Sequence, residues 1–316
     1  MEQITFVFPG QGSQYVGMGK ELADNFASAR NVLVAAGEIL GFDLAELCFQ
    51  GPEEKLLQTE ITQPAILAVS LAIFEVLREK GIQPSWVAGH SLGEYSALVA
   101  AGTLSFPTGL QVVAQRGRWM AEAVPDRQGT MAAVLGLSPE AVEQICLEAS
   151  EQGDVVPANF NSPGQIVISG TRSAVEKAGS LAKAKGAKRV LPLAVSGPFH
   201  SRLMAGVSDK LSVLLADVKL QVPQYSFVAN TTGSRLDEVE EIKKSLVEQV
   251  KSPVLWQQSV EYLVRQGVSV FIEVGPGRVL SGLVKKIDKT VEVLNVEDCK
   301  TLNGAVKVLE GMKSDA

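Results

Sequence analysis

Histidine occurs only twice in this chain of 316 residues, as His90 and His200, so any reaction that needs an imidazole must use one of them. Cysteine occurs three times, at Cys48, Cys146 and Cys299, widely spaced and without a C-x-x-C pair. That excludes a disulfide framework and a thiolate zinc site, and leaves buried spectator thiols as the expectation. Positive charge is not in excess: 29 Lys and Arg face 35 Asp and Glu, a net charge of −6, which argues against nucleic acid or an anionic membrane surface as the main partner. The first residues, Met1-Glu2-Gln3-Ile4, lack the basic stretch and apolar run of a targeting segment, and the most apolar helix, over residues 66–77, is broken by Ser70 and Glu75. A cytoplasmic protein without a membrane span is expected. Heptads, internal repeats and low-complexity tracts are also missing, which makes a monomer the default and leaves residues 313–316 as a loose tail.

With 46% hydrophobic and 20% charged residues, the chain can bury a sizeable core, and its length suggests about two domains. Residues 4–8 read as a buried strand that ends in the loop Pro9-Gly10-Gln11-Gly12-Ser13. Ile66, Val69, Ile73 and Leu77 recur at helical spacing within residues 62–80, Gly81 stops that pattern, and residues 85–88 read as a second short strand. After Pro125 the grammar changes. Strands at 131–135, 155–160, 165–169 and 189–193 and helices at 139–148 and 174–185 give the order βαββαβ, a ferredoxin-like split unit. Ser138 and Thr171 are the expected helix caps there, and Gly186 the expected stop. The boundaries predicted are a small inserted domain at residues 126–196 within a larger one made of 1–125 and 197–316. Beyond the insert, helices from 201, at 240–250 and at 255–266 alternate with strands at 225–229 and 268–274, as in a mostly parallel sheet covered by helices.

Gly89-His90-Ser91-Leu92-Gly93 fits G-x-S-x-G, with an apolar strand before it and a helix-compatible stretch after it. This is a nucleophile elbow, in which flanking glycines allow a sharp turn that lifts the Ser91 hydroxyl above a helix N-terminus. Serine needs a base at neutral pH. His90 is the next residue on the same elbow and should project elsewhere, so His200, in the loop Ser196-Gly197-Pro198-Phe199-His200-Ser201, is the base by elimination. An ester on serine forms through an oxyanion that needs two fixed donors. The backbone amide of Leu92 supplies one, and that of Gln11, in the glycine-rich loop after the first strand, is the natural second. A dinucleotide fingerprint does not fit that loop, because Tyr15 occupies the place of the third glycine.

Taken together, the chain resembles the malonyl-CoA:acyl carrier protein transacylase family from end to end. The matching motifs are Phe8-Pro9-Gly10-Gln11-Gly12-Ser13-Gln14, Gly89-His90-Ser91-Leu92-Gly93-Glu94, Gln115-Arg116-Gly117, Asn161-Ser162-Pro163-Gly164-Gln165, Gly197-Pro198-Phe199-His200 and Glu273-Val274-Gly275-Pro276-Gly277. The resemblance implies an α/β class fold: an α/β-hydrolase-like core with an inserted ferredoxin-like subdomain. It implies that Arg116 pairs with the free carboxylate of malonate, that the backbone carbonyl of Gln249 orients His200, that Gln63 lines the pocket, and that Phe199 favours malonyl over methylmalonyl groups. It further implies ping-pong transfer of malonyl from malonyl-CoA to an acyl carrier protein for fatty-acid synthesis, with no metal and no cofactor. Such carriers are acidic, and Lys185, Lys188 and Arg189 on the insert, with Arg278, Lys285 and Lys286 on the larger domain, are the candidate docking cations. Two other readings share these residues: a serine esterase or thioesterase, and a non-catalytic module that docks carrier proteins.

Overall fold

Short segments rich in apolar residues become the parallel strands of the larger sheet. The computed structural model describes residues 3–124, 128–195 and 197–314. Strand β1 (Gln3–Phe8) leads through helices α1 (Lys20–Asn25), α2 (Ala27–Leu40), α3 (Leu44–Gln50), α4 (Glu53–Leu56) and α5 (Thr59–Glu79) to β2 (Trp86–Gly89). Helices α6 (Gly93–Ala100) and α7 (Phe106–Glu122) follow, and then the insert: β3 (Gly129–Leu135), α8 (Pro139–Ala149), β4 (Val155–Ser162), β5 (Gln165–Thr171), α9 (Arg172–Ala184) and β6 (Arg189–Pro192). The chain returns through α10 (Ala205–Ala216), β7 (Ser226–Ala229), β8 (Ser234–Leu236), α11 (Val239–Gln249), α12 (Trp256–Arg265), β9 (Val268–Val274), α13 (Val279–Ile287), β10 (Glu292–Val296) and α14 (Cys299–Ser314).

The larger sheet has the order β10-β9-β1-β2-β7-β8. Its first five strands run parallel and only β8 is antiparallel, to β7. Parallel strands need helical crossovers that cover both faces, which is why residues 6–8 of β1, 87–88 of β2 and 270–272 of β9 are all apolar and fully buried. From β1 the chain steps to β2 on one side, and β9 joins β1 on the other. Loops at the carboxyl ends of β1 and β2 therefore open on one crevice, where open α/β sheets place their ligands. Helix α5 is long and apolar enough to cross a membrane, yet it is a core helix here, with residues 62–74 all buried. An all-round apolar helix is stable in water only when enclosed in this way.

The insert forms a separate antiparallel sheet of order β4-β5-β3-β6, the ferredoxin-like arrangement for its four strands, with α8 and α9 packed on it. Val134, Ile145, Phe160, Ile168 and Ala178 belong to its own apolar core. Ser138 caps α8 as expected, its hydroxyl accepting from Ala141 N at 3.3 Å. Thr171 stands at the N-cap position of α9 but makes no capping hydrogen bond. Its hydroxyl is turned into the space over Gly153 instead; Thr171 is also the last residue of β5 and pairs with Gly129. Hydrogen bonds from Val254 N to Ala158 O (2.8 Å) and from Phe160 N to Val254 O (2.9 Å) tie β4 to the segment before α12 in the larger body. The expected domain boundaries, at 125/126 and 196/197, fall at Pro125, Asp126 and Ser196, which lie outside the described residues. The helix expected from 201 begins as a short 3₁₀ turn, Arg202–Met204, before α10. Cys48 and Cys146 are buried free thiols, whereas Cys299, the first residue of α14, is only partly buried and departs from the expectation for all three.

Candidate active site

Gly89 closes β2 and Gly93 opens α6, so Ser91 sits at the tip of the turn between them. Its φ is 52°, in the left-handed region that non-glycine residues rarely adopt. The two glycines permit this turn: a Cβ on Gly93 would run into the carbonyl oxygen of Phe8, and one on Gly89 into the backbone of Gly93. Asn230, just past β7, holds the strained turn from below. Its Oδ1 accepts from Ser91 N at 2.7 Å and its Nδ2 donates to Gly89 O at 2.6 Å. Asn230→Ala would leave both groups without these partners, at about 1–3 kcal/mol each. The expected outcome is a lower melting temperature together with an acylation rate reduced roughly tenfold, read by stopped-time mass spectrometry; an unchanged rate would show that the elbow holds itself.

His200 is the other described non-glycine residue with positive φ, at 57°. Its backbone N donates to Val250 O at 3.0 Å, which fixes the loop against the end of α11. Nδ1 lies 2.8 Å from the backbone oxygen of Gln249, and Nε2 lies 2.7 Å from Ser91 Oγ. A carbonyl can only accept, so the network assigns the proton to Nδ1 and leaves Nε2 as the acceptor for the serine hydroxyl. A carbonyl in this place orients the ring without adding the negative charge that a carboxylate would. Burial, followed by the positive charge of Arg116, holds the imidazole down to about 3 from its ordinary 6.5. A histidine acts as a base in its neutral form, and lowering the pKa extends the range of that form downward, so with His200 as the expected base its protonation should not limit acylation between pH 8 and 5. A rate-against-pH profile with an acid limb near 6 assigned to this histidine would contradict that environment.

His90, by contrast, points away from Ser91. Its Nε2 is 2.8 Å from Asn161 Oδ1 on β4, and its ring centroid is 5.8 Å from that of Trp256. It serves the junction with the insert.

Arg116 projects from α7 and is fully buried. Its Nη1 donates to Gln63 Oε1 at 2.7 Å, and its Nη2 to Gln249 Oε1 at 2.9 Å and to Ser91 Oγ at 3.1 Å. Its Cζ lies 5.4 Å from the Tyr95 ring centroid. Among the described residues it has no ion pair, and its Nε has no hydrogen-bond partner. Desolvation pulls its pKa down, but a guanidinium keeps its charge at any working pH. A buried cation beside the Ser91 hydroxyl, held by uncharged groups and without an ion pair among the described residues, is a site prepared for an anion.

These groups line a cleft of about 200 Å³ between the two sheets, together with Gln11, Leu92, Met120, Phe199 and other apolar side chains. Its size suits a short acyl group rather than a drug-sized ligand. The backbone amides of Gln11 and Leu92 have no acceptor among the described residues, and Leu92 stands at the N-terminus of α6, where the helix field favours an anion. Gln63 borders the cleft through its bond to Arg116, and Phe199, nearly fully buried, forms its wall beside His200. The groups needed to make, stabilise and break a serine ester are thus assembled in one place.

Of the candidate docking cations, all six are exposed. Lys286 is tied to the cleft, its Nζ lying 3.1 Å from Oε1 of the lining residue Gln165, and Arg278 precedes Val279, which also lines the mouth. Lys185 is ion-paired with Glu148 at 3.2 Å, Lys285 donates to Val291 O at 2.7 Å, and Lys188 and Arg189 lie at the far edge of the insert around β6. Among the described residues no cluster of three or more His, Cys, Asp or Glu side chains has the arrangement of a metal site.

Three functional contacts are not readable from sequence patterns. Asn230 is separated from Ser91 by 139 positions, and its only signal is a polar residue at the carboxyl end of a buried strand. Glu94 follows the elbow as the one charged residue of α6, a signal without a partner. The side chain of Gln249, as distinct from its carbonyl, reaches both Arg116 and the backbone oxygen of Ser91 (2.9 Å).

A strained serine, an imidazole facing its hydroxyl and two free amides have the geometry that acyl transfer through a serine ester requires, the class of an acyl-transfer enzyme. Residues 5–308 match the family described as acyl transferase domain. The chain is 46% identical to a malonyl CoA-acyl carrier protein transacylase of Bacillus subtilis, covering all of both chains, and 45% identical to one of Escherichia coli, covering 98% of this chain and all of that one. A crystal structure of such a transacylase from Clostridium perfringens superposes with a TM-score of 0.96 at 44% identity, covering 99% of this chain and 98% of that one. A malonyl-transacylase solved in complex with its type II polyketide-synthase acyl carrier protein gives 0.95 at 46%, covering 96% and 99%. This chain belongs to the acyl transferase family.

Proposed function

We propose that the chain transfers a malonyl group from malonyl-CoA to the phosphopantetheine thiol of an acyl carrier protein, through a malonyl ester on Ser91, in supply of fatty-acid synthesis. The observation that carries this reading is the buried guanidinium of Arg116, which lacks an ion pair among the described residues and stands 3.1 Å from Ser91 Oγ. An acyl group that ends in a carboxylate places its charge there while its thioester carbon meets the serine.

In the first half-reaction Ser91 Oγ bonds to the thioester carbon as its proton moves to His200 Nε2. The amides of Gln11 and Leu92 hold the oxyanion. Collapse breaks the carbon–sulfur bond, and the departing CoA sulfur takes the proton back from Nε2. In the second half-reaction the carrier thiol gives its proton to Nε2 and its sulfur bonds to the ester carbon; collapse breaks the bond from that carbon to Oγ, which takes the proton from Nε2 and restores Ser91. Exchange of a thioester for an ester and back is redox-neutral, so no redox cofactor enters. Residues 1–125 with 197–316 act as the catalytic domain, and 126–196 as the small domain that closes the cleft. The cationic edge of α13, with Arg278 and Lys286 beside the mouth, suits an acidic carrier. A cytoplasmic setting, where CoA esters and carriers occur together, completes the reading.

The test is incubation with labelled malonyl-CoA with and without holo carrier protein. Malonyl carrier should accumulate only when carrier is added. Equal release of free malonate in both arms would replace transfer with hydrolysis.

A further inference from the structure

Beneath the nucleophile lies a carboxyl that the ester chemistry does not use. Glu94 is fully buried on α6. Its Oε1 accepts from Asn230 N at 3.4 Å, and its Oε2 accepts from Gln249 Nε2. The Gln249 amide stands between two charges: its nitrogen also donates to Ser91 O (2.9 Å), and its oxygen accepts from Arg116 Nη2 (2.9 Å). Glu94 and Arg116 are thus held apart by a single amide in an enclosed site. Once a malonyl group enters, that site contains one cation and two carboxyl groups. Burying a second negative charge without a second positive one is strongly unfavourable, and the remedy open to a carboxyl is to take a proton.

We propose that Glu94, a positioning residue acting through Gln249 and Arg116, sets the charge that the acyl pocket demands of its substrate: ionised, it compensates the guanidinium; protonated, it leaves a cation that only an acyl carboxylate can balance. The inference rests on the malonyl reading of the same site. Burial, opposed by the hydrogen bonds from Gln249 and Asn230 and by the charge of Arg116, raises the Glu94 carboxyl to about 7, so both forms are populated near neutrality. Arg116 on α7 is the cation that faces it, and Tyr95 is its ionisable neighbour on α6. Strands β1, β2 and β7, packed against α6, carry no ionisable side chain, and those of α5 (Glu60, Glu75, Arg78 and Glu79) are not buried. His200, held down to about 3, His90, also lowered by burial, and Tyr95, raised by burial to about 12, do not titrate near 7.

The measurement is the ratio of Ser91 acylation rates with malonyl-CoA and acetyl-CoA across roughly pH 6 to 8, by intact mass. The phosphate groups of CoA titrate identically in both donors and cancel in the ratio. The malonyl-to-acetyl ratio should fall roughly tenfold from pH 6 to pH 8, following the protonated fraction of a group titrating near 7. In Glu94→Gln, which is neutral and of the same size, the ratio should stay high and flat. A flat ratio in the unaltered chain, with the malonyl adduct forming normally, overturns the Glu94 role alone, and that profile decides even where the variant is unstable. A variant whose ratio still falls with pH also overturns it. No malonyl adduct at any pH would remove the malonyl reading itself, and the Glu94 role with it.

Discussion

Replacement of Arg116 by alanine is expected to reverse the substrate preference of the enzyme. A guanidinium can hold a carboxylate by two parallel charge-assisted bonds, and loss of one partner of such a pair in a buried site costs about 2–5 kcal/mol. At about 1.4 kcal/mol per tenfold, malonyl transfer should fall at least roughly thirtyfold. Acetyl-CoA has no carboxylate to lose, and the variant pocket no longer contains an unbalanced cation, so relative tolerance for acetyl should rise. Arg116→Ala also strands Gln63 Oε1 and Gln249 Oε1, which accept from the guanidinium at 2.7 and 2.9 Å. A lower melting temperature will therefore accompany the effect and must be measured beside it. Arg116→Lys separates charge from geometry: a point charge on a flexible stem should retain part of the malonyl preference and lose the two-pronged grip. Equal losses for both donors in Arg116→Ala would mean that the residue supports the nucleophile and does not select the acyl group.

Ser91→Ala should abolish covalent acylation and reduce transfer by roughly a millionfold, the scale seen when a serine nucleophile is removed from an enzyme of this type. Alanine keeps the Cβ and adds no clash to the left-handed backbone at φ 52°, so the fold should survive. What disappears is the oxygen that accepts from Arg116 Nη2 and faces His200 Nε2. The variant should therefore still bind malonyl-CoA, which would separate binding from chemistry in a single protein. A malonyl adduct that persists in Ser91→Ala would place the nucleophile elsewhere.

Much of this arrangement is readable from the sequence, and the reason differs from part to part. The insert is legible because its strands and helices are short, strongly patterned and separated by capping residues and glycines, so the order βαββαβ survives without tertiary information. The elbow is legible because a positive φ at Ser91 demands small residues at fixed offsets, and Gly89 and Gly93 record that demand. Proximity of His200 to Ser91 follows from scarcity: with two histidines and one of them adjacent to the nucleophile, little choice remains. The clamp is different. Nothing in the helical spacing around Arg116 sets it apart from Arg118 two positions on, which pairs with Glu122 at the surface, and only the resemblance of the whole chain to a family singles it out. Asn230 and Glu94 were not legible as partners, because buried polar residues acquire their meaning from contacts 136 and 139 positions away. Thr171 shows the converse: a capping residue in the expected place whose hydroxyl makes no cap.

The most direct measurement is an intact mass spectrum of the unaltered chain after brief exposure to malonyl-CoA, followed by peptide mapping. One malonyl group per chain is expected, carried as an ester on Ser91 and discharged when a holo carrier protein is added. A chain that gains no mass, or carries the group on any other residue, would contradict a mechanism in which the serine and imidazole held 2.7 Å apart perform the transfer.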